Sequence, residues 1–454
     1  MKLPLLRSAN PERTVLWSHG RAVTARELMQ NVVAVSRELP EGRHLINLCE
    51  HRDSFLIACC AALVRGHTNL LPPSRADGIV EEVAAMNPGS YRCNDEFVRG
   101  ACEKAARGRS ANESVAGAKA AGDAGAAYCA FEMPGDHVAV KAYTSGSTGT
   151  PQVHAKLWRS FSRSSALNAM RMRECLEPKY GSAQPWIVAT VPPQHMYGLE
   201  TSVLLALLSD MAVHAGRPLF PADIAAALEE VPEPRVLVTT PVHMRAIAAS
   251  GLRFPRVALV LSATAPLDAE LAKQIESQLD TTLLEMFGST ETCVIATRRT
   301  SSDQSWHLYP EVLLEPDADG VNVNAPWFAT PMRLQDVIER QPGNRFVIRG
   351  RNADMVDVAG KRASLADLTR RLLAIPGVDD AVVFQPDAAA SGVVRRVAAL
   401  VVAPNVTPEA IVEQLSHSVD SAFIPRPLVR VAALPRNEVG KLPRERLLAA
   451  LRGH

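Results

Sequence analysis

The chain has 454 residues, 47% of them hydrophobic and 21% charged, a balance that excludes a disordered, collagen-like or coiled-coil protein. Lys and Arg number 49 against 48 Asp and Glu, a formal net charge of +1, so no global field draws the chain to nucleic acid or to an anionic membrane. No apolar run reaches the roughly 18–20 residues that span a bilayer, and the longest, residues 55–64, has the length of a buried helix or strand.

The first residues, Met1-Lys2-Leu3-Pro4-Leu5-Leu6-Arg7, carry no long apolar core and no small-residue cleavage site, which argues against a secretory signal. Thr24 followed by Glu27, with apolar residues at Leu28, Val32, Val35 and Leu39, predicts a capping box opening an amphipathic helix. Cys59 and Cys60 are adjacent, and the eight cysteines show no CxxC spacing. That pattern points to reduced, mostly buried thiols, to a cytoplasmic setting and away from zinc. Segment 101–130 is rich in Ala, Gly and Ser without a clean period, and reads as a surface excursion or a loose helix pair with no chemistry of its own.

Beyond it, short apolar runs alternate with helical stretches. Strands are expected over 186–191, 235–240 and 257–262, and helices over 160–176, 199–208 and 221–231. Such alternation predicts an α/β architecture with a buried, mainly parallel sheet. The last hundred or so residues read as a small α+β unit. Strands are expected over 345–349, 382–384 and 397–402, with a helix capped by Ser364 and running to Ala374, and another opening at Thr407-Pro408. A domain boundary is expected near 350–354, giving domains of 1–349 and 350–454.

The strongest chemical signal is Tyr143-Thr144-Ser145-Gly146-Ser147-Thr148-Gly149-Thr150-Pro151. Glycines let a backbone approach an anion closely, and hydroxyls and N–H groups donate to phosphate oxygens. The apolar run 138–143 before it places the loop at a strand end, where ligands bind in α/β folds. No Gly-Lys-Ser/Thr follows, so it is not a Walker loop.

This loop resembles the phosphate-binding signature of the adenylate-forming (acyl-CoA synthetase) superfamily, and further motifs follow in that family's order. Pro192-Pro193-Gln194-His195-Met196-Tyr197-Gly198 resembles its Pro-x-x-His-x-x-Gly stretch, and Ser262-Ala263-Thr264-Ala265-Pro266-Leu267 its substrate-pocket loop. Phe287-Gly288-Ser289-Thr290-Glu291 is similar to its aromatic-Gly-x-Thr-Glu motif. Gly350-Arg351-Asn352-Ala353-Asp354 resembles its hinge, and Leu434-Pro435-Arg436-Asn437-Glu438-Val439-Gly440-Lys441 its catalytic-lysine loop.

The resemblance implies a large N-terminal α/β domain that binds ATP and a carboxylic acid, and a small mobile C-terminal α+β lid. It implies a two-step ligase reaction, with an acyl-adenylate formed first and the acyl group then passed to a thiol of CoA or of a carrier protein's phosphopantetheine arm. Thr144, Ser145, Gly146, Ser147, Thr148, Gly149, Phe287, Gly288, Asp336 and Arg351 are the implied ATP contacts. Glu291 is the implied Mg²⁺ ligand, with Thr290 at the α-phosphate. Lys441 would bridge the carboxylate and the α-phosphate, and His195 would stand by the carboxylate or line the acyl pocket. Thr264, Phe287 and Cys293 are implied pocket walls, and Ala353 and Asp354 the hinge.

The chain departs from the family at several positions. Gln152 stands where a Lys usually follows the loop's Pro, leaving Lys156 as the nearest lysine. Ala353 replaces the usual Asp or Lys of the hinge, Thr264 the commoner Gly, and the Thr-Gly usual before Asp336 is missing. The run Gln152-Val153-His154-Ala155-Lys156 resembles the ligases of bacterial aryl polyene pathways, which implies a hydroxybenzoate-type acid. A fatty acyl ligase, and a nucleotide-binding partner subunit without catalysis, are the alternatives. A hydrolase using Ser145 or Ser147 with His195 lacks the Gly-x-Ser-x-Gly elbow. Arg395, Arg396 and Arg426 are the basic residues available to a CoA nucleotide in the small unit. No nucleic-acid partner and no membrane span are expected.

Overall fold

The computed structural model describes the chain except residues 9, 74, 114–130, 145–151, 318–319, 352–354, 359–360, 387–395, 418, 420, 438–439 and 454. It divides into two compact units. The first is Met1–Gln304 with Tyr309–Glu311 and Ala325–Ala329; the second is Ser305–Leu308, Val312–Asn324 and Thr330–His454.

Two sheets organise the first unit. In the smaller, strands run in the order Tyr91–Cys93, His44–Asn47, Thr68–Leu71, Val138–Thr144 and Gln152–Leu157. The first four are parallel and the last antiparallel. Helix Arg52–Val64 takes up the apolar run at 55–64 and buries every residue from Phe55 to Leu63, as expected of a helix that is apolar all round. It carries Cys59 and Cys60; none of the described cysteines is in a disulfide, and five of them are buried. The capping box forms: Glu27 N–H donates to Thr24 Oγ1 at 3.2 Å, and Thr24 N–H to Glu27 Oε2 at 3.0 Å.

The larger sheet holds eight strands of this unit, in the order Cys293–Arg298, Thr282–Ser289, Leu259–Ser262, Arg235–Thr239, Trp186–Ala189, Ala212–His214, Thr14–Ser18 and Arg21–Thr24. The six inner strands are parallel and both outer pairings are antiparallel. Val188, Leu237, Val260 and Leu283 form one core with Ile224, Leu228, Met244, Ile247, Leu271 and Ile275 from three helices. Pro221–Glu229, Pro241–Ala249 and Ala269–Leu279 are those helices. Parallel strands end at the same edge of a sheet, so the segments that follow them gather there.

Two helices differ from expectation in extent. The helix expected over 160–176 runs from Trp158 to Tyr180. The one expected over 199–208 begins at Met196, and its middle, Glu200–Leu204, is wound as a π-helix. A π-turn inserts a residue into the α-period and turns side chains that would otherwise face elsewhere; here it buries Glu200 completely.

In the second unit, Asp380–Phe384, Ala398–Val402 and Leu428–Arg430 form a three-stranded sheet. Helices Leu365–Leu373 and Pro408–Ser416 contribute Leu368, Leu372, Ile411 and Leu415 to its core. Thr407 caps the second helix, as its position before Pro408 suggests. The first begins at Leu365, directly after Ser364, the residue expected to cap it. Strands Asp336–Gln341 and Arg345–Arg351 pair antiparallel in the same unit. No helix among the described residues is long and apolar enough to cross a membrane.

Candidate active site

The phosphate-loop motif begins where strand Val138–Thr144 ends, and the chain returns as Gln152–Leu157 with Thr144 opposite Gln152 in register. Ser145, Gly146, Ser147, Thr148 and Gly149 lie outside the described residues. On the return strand His154 and Lys156 share one face, because strand side chains alternate. Both reach the same turn. His154 Nε2 lies 3.3 Å from Glu291 Oε1, and Lys156 Nζ donates to the Glu291 carbonyl oxygen.

That turn is built by close approach. Strand Thr282–Ser289 pairs with Cys293–Arg298 through an irregularity between Phe287 and Gly288. A Cβ on Gly288 would stand 2.1 Å from the Cys293 carbonyl oxygen, so no other residue fits without rebuilding the turn. Ser289 N–H donates to Thr292 Oγ1 at 3.0 Å, and Thr292 Oγ1 donates to the Cys293 carbonyl at 2.8 Å. Cys293 itself has φ 63. Its thiol is buried and pushed up to about 12 by burial, which makes it a packed group and a poor nucleophile.

Burial would raise the Glu291 carboxyl, but the Ser289 hydroxyl, a backbone N–H, His154 and Lys156 together hold it below the usual carboxylate range. It is therefore ionised at neutral pH, half-exposed, and offers hard oxygen to a cation. Those properties fit a magnesium ligand. Thr290 precedes it, partly exposed, as does Phe287.

The Pro-x-x-His-x-x-Gly stretch follows strand Trp186–Ala189. His195 is the N-cap of the helix at Met196, half-buried, with its carbonyl accepting from Leu199 N–H at 2.7 Å. A Cβ on Gly198 would lie 2.0 Å from the Pro192 carbonyl oxygen, which explains why this motif ends in glycine. Beneath the stretch lies Arg52, only 1% exposed. Its guanidinium donates to the carbonyls of Ala189 at 2.9 Å and Val191 at 3.1 Å, and to Ser202 Oγ. Burial, then Arg217, lowers it to about 9, so it keeps its charge at neutral pH. Sequence reading misses Arg52, because its partners are backbone carbonyls nearly 140 residues away.

A polar group at the neighbouring strand ends is also missed. Thr190 Oγ1 lies 3.0 Å from Thr239 Oγ1 and 3.3 Å from His243 Nδ1, which in turn lies 3.0 Å from Thr240 Oγ1. Arg217 Nε donates to the Thr190 carbonyl at 3.4 Å. Thr264 is exposed in the segment after Leu259–Ser262 and has φ 78. A β-branched residue pays strain there, which gives a physical reason for the glycine more usual at this motif position.

The remaining candidates belong to the second unit. Asp336 and Arg351 stand directly opposite each other in register. Lys441 is exposed, at the end of a turn in which Lys441 N–H donates to Asn437 Oδ1 at 2.9 Å and Asn437 N–H to the Lys441 carbonyl at 2.8 Å. Arg436 anchors this turn. It donates to Asp380 at 2.8 and 2.9 Å and to the Gly440 carbonyl at 3.0 Å. Ala353 and Asp354 lie outside the described residues.

These features agree with comparisons to known proteins. Residues 92–337, more than half of the chain, match the AMP-binding enzyme family, and the chain belongs to that family. A 4-coumarate–CoA ligase of Rhodobacter capsulatus is 31% identical over 236 residues, covering 52% of this chain and 58% of that protein. A 4-coumarate–CoA ligase of Halorhodospira halophila is 29% identical over 309 residues, covering 66% and 73%. The chain thus spans less than two thirds of the first relative's length. The fold matches the o-succinylbenzoate CoA synthetase MenE of Bacillus subtilis, solved with the acyl-adenylate OSB-AMP, with TM-score 0.79, 16% identity and 98% of each chain covered.

Two outcomes follow from the local chemistry. Thr264→Gly removes the left-handed strain at the cost of a more flexible unfolded chain, and should raise stability by about 1 kcal/mol in denaturant unfolding. His243 is held below its ordinary value of 6.5 by burial and then by Arg217. The folded state therefore binds fewer protons than the unfolded chain as pH falls past 6.5, and stability falls with it. His243→Asn should flatten that fall by up to about 1.4 kcal/mol per pH unit, read from urea midpoints between pH 7 and pH 5.

Proposed function

We propose that the chain is an ATP-dependent carboxylic acid–thiol ligase. The observation that carries this reading is the ionised Glu291 carboxylate on a turn braced by two residues of the strand that leaves the phosphate-loop motif. A carboxylate oxygen of the acid attacks the α-phosphorus of ATP, the α–β phosphoanhydride bond breaks, and pyrophosphate leaves. A thiolate then attacks the acyl carbon, the acyl–phosphate bond breaks, and AMP leaves with the bonding pair. Phosphoryl transfer of this kind asks for positioning and charge neutralisation rather than covalent help.

Residues 1–349 bind the nucleotide and the acid in this reading, and residues 350–454 form the lid that brings the lysine. Thr144 to Gly149 take the phosphates, with Phe287 and Gly288 beside the nucleotide. Asp336 and Arg351 take the ribose and phosphate, and Ala353 and Asp354 the hinge motion. Glu291 holds Mg²⁺, which when bound neutralises phosphate charge; Thr290 donates to the α-phosphate. Lys441 offsets the negative charge that develops between carboxylate and phosphate. His195, Thr264, Phe287 and Cys293 border the acid.

The favoured acid is aromatic, of the hydroxybenzoate class, and the favoured acceptor is the thiol of CoA. The names of the two coumarate–CoA ligases support both choices. A carrier-protein phosphopantetheine arm ends in the same thiol and is the second acceptor to test.

A panel of aryl and aliphatic acids with ATP, read by pyrophosphate release, should give turnover with hydroxylated benzoates or cinnamates and not with fatty acids. Lys441→Ala should bind ATP as the native chain does, yet lose adenylate formation by roughly 10²-fold or more. Full activity in that variant would remove the lysine from the reaction.

A further inference from the structure

Lys156 is 4% exposed and Glu200 1% exposed, both inside the first unit. Burying an ammonium costs several kcal/mol unless other groups compensate it, so a lysine at this depth has partners that hold it. Its Nζ donates to the Glu291 carbonyl. Burial holds the Glu200 carboxyl above the usual carboxylate range, against the opposing pull of the Ser164 hydroxyl, Val294 N–H, Lys156 and Asn168. Glu200 accepts from Ser164 Oγ at 2.5 Å and from Val294 N–H at 3.2 Å.

These two buried side chains hold the same turn at two points. Lys156 holds the carbonyl of Glu291, and Glu200 holds the N–H of Val294, three residues on. The backbone is already committed by the close approach at Gly288, before Glu291, and by the left-handed Cys293, just before Val294. Glu200 reaches the turn from the π-wound segment of its helix, and Lys156 from the strand that follows the phosphate-loop motif.

From this geometry we infer that Lys156 is a positioning residue for the metal-binding carboxylate. Its buried ammonium fixes the peptide of Glu291, and so the direction of the carboxylate, and ties that direction to the strand leaving the phosphate loop. The inference rests on the assignment of Glu291 as the magnesium ligand. It also accounts for Gln152: the lysine of this loop acts four residues later and from below, on the metal turn.

The test uses Mn²⁺ titrated into the full chain with a non-hydrolysable ATP analogue, followed by electron paramagnetic resonance, so that no turnover is needed. Lys156→Met keeps the apolar stem and removes the charge, and should weaken Mn²⁺ binding about tenfold, the effect usual for groups that orient a metal ligand. Lys156→Met alone leaves the buried Glu200 carboxyl without the neighbouring ammonium, so the double variant Lys156→Met with Glu200→Gln controls for folding. It should regain the native melting temperature and keep the weakened Mn²⁺ affinity. In turnover, the magnesium requirement should rise while KM for the acid stays unchanged. Native Mn²⁺ affinity in the stable double variant would overturn the positioning role. Glu291→Gln separates the two readings: if it too binds Mn²⁺ like the native chain, the metal assignment fails, and the role of Lys156 with it.

Discussion

The site depends on a single strained turn between two antiparallel strands. From Phe287 to Cys293 the backbone crosses an irregularity, passes so close to its neighbour that Gly288 admits no side chain, and emerges in a left-handed residue. Such a turn stores strain and persists only where its surroundings over-determine it. Here the surroundings are a buried lysine at one end and a buried glutamate at the other. The carboxylate displayed between them, half-exposed and held ionised, is the product of that constraint.

The same logic extends along the larger sheet. Parallel strands deliver Pro192–Gly198, Thr240–His243 and Ser262–Leu267 to one edge, and buried side chains hold the backbone of the first and the histidine of the second. Arg52 grips the carbonyls that lead into the His195 segment. Thr190 and Thr240 hold His243. Arg436 and Asp380 hold the turn of Lys441 in the second unit. The supporting charges are buried or half-buried, where they are worth more than at the surface and cost more to leave unpaired.

Much of this was legible in the sequence, for identifiable reasons. The α/β class follows from alternating apolar runs and helical periods, and the capping box at Thr24 and Glu27 forms as its spacing requires. Motif glycines were legible because no other residue fits at 198 or 288, and a packing necessity of that kind leaves a mark in the letters. The supporting shell was not legible. Arg52 bonds to carbonyls, which every residue possesses, so nothing in the sequence marks its partners. Lys156 could be noticed only as the nearest lysine to a missing one; its burial and its aim at Glu291 arise from tertiary contact between strands of two different sheets. The π-turn at 200–204 escaped because the segment 199–208 fits an α-helix equally well, and only tertiary packing chooses between them.

The central claim is that an acid's oxygen bonds to the α-phosphorus of ATP. A hydroxybenzoate carrying oxygen-18 in its carboxyl, turned over with ATP and CoA, tests it directly by mass spectrometry of the products. The account predicts one labelled oxygen in AMP and unlabelled pyrophosphate. Label in inorganic phosphate with ADP as the nucleotide product, or unlabelled AMP, would contradict it.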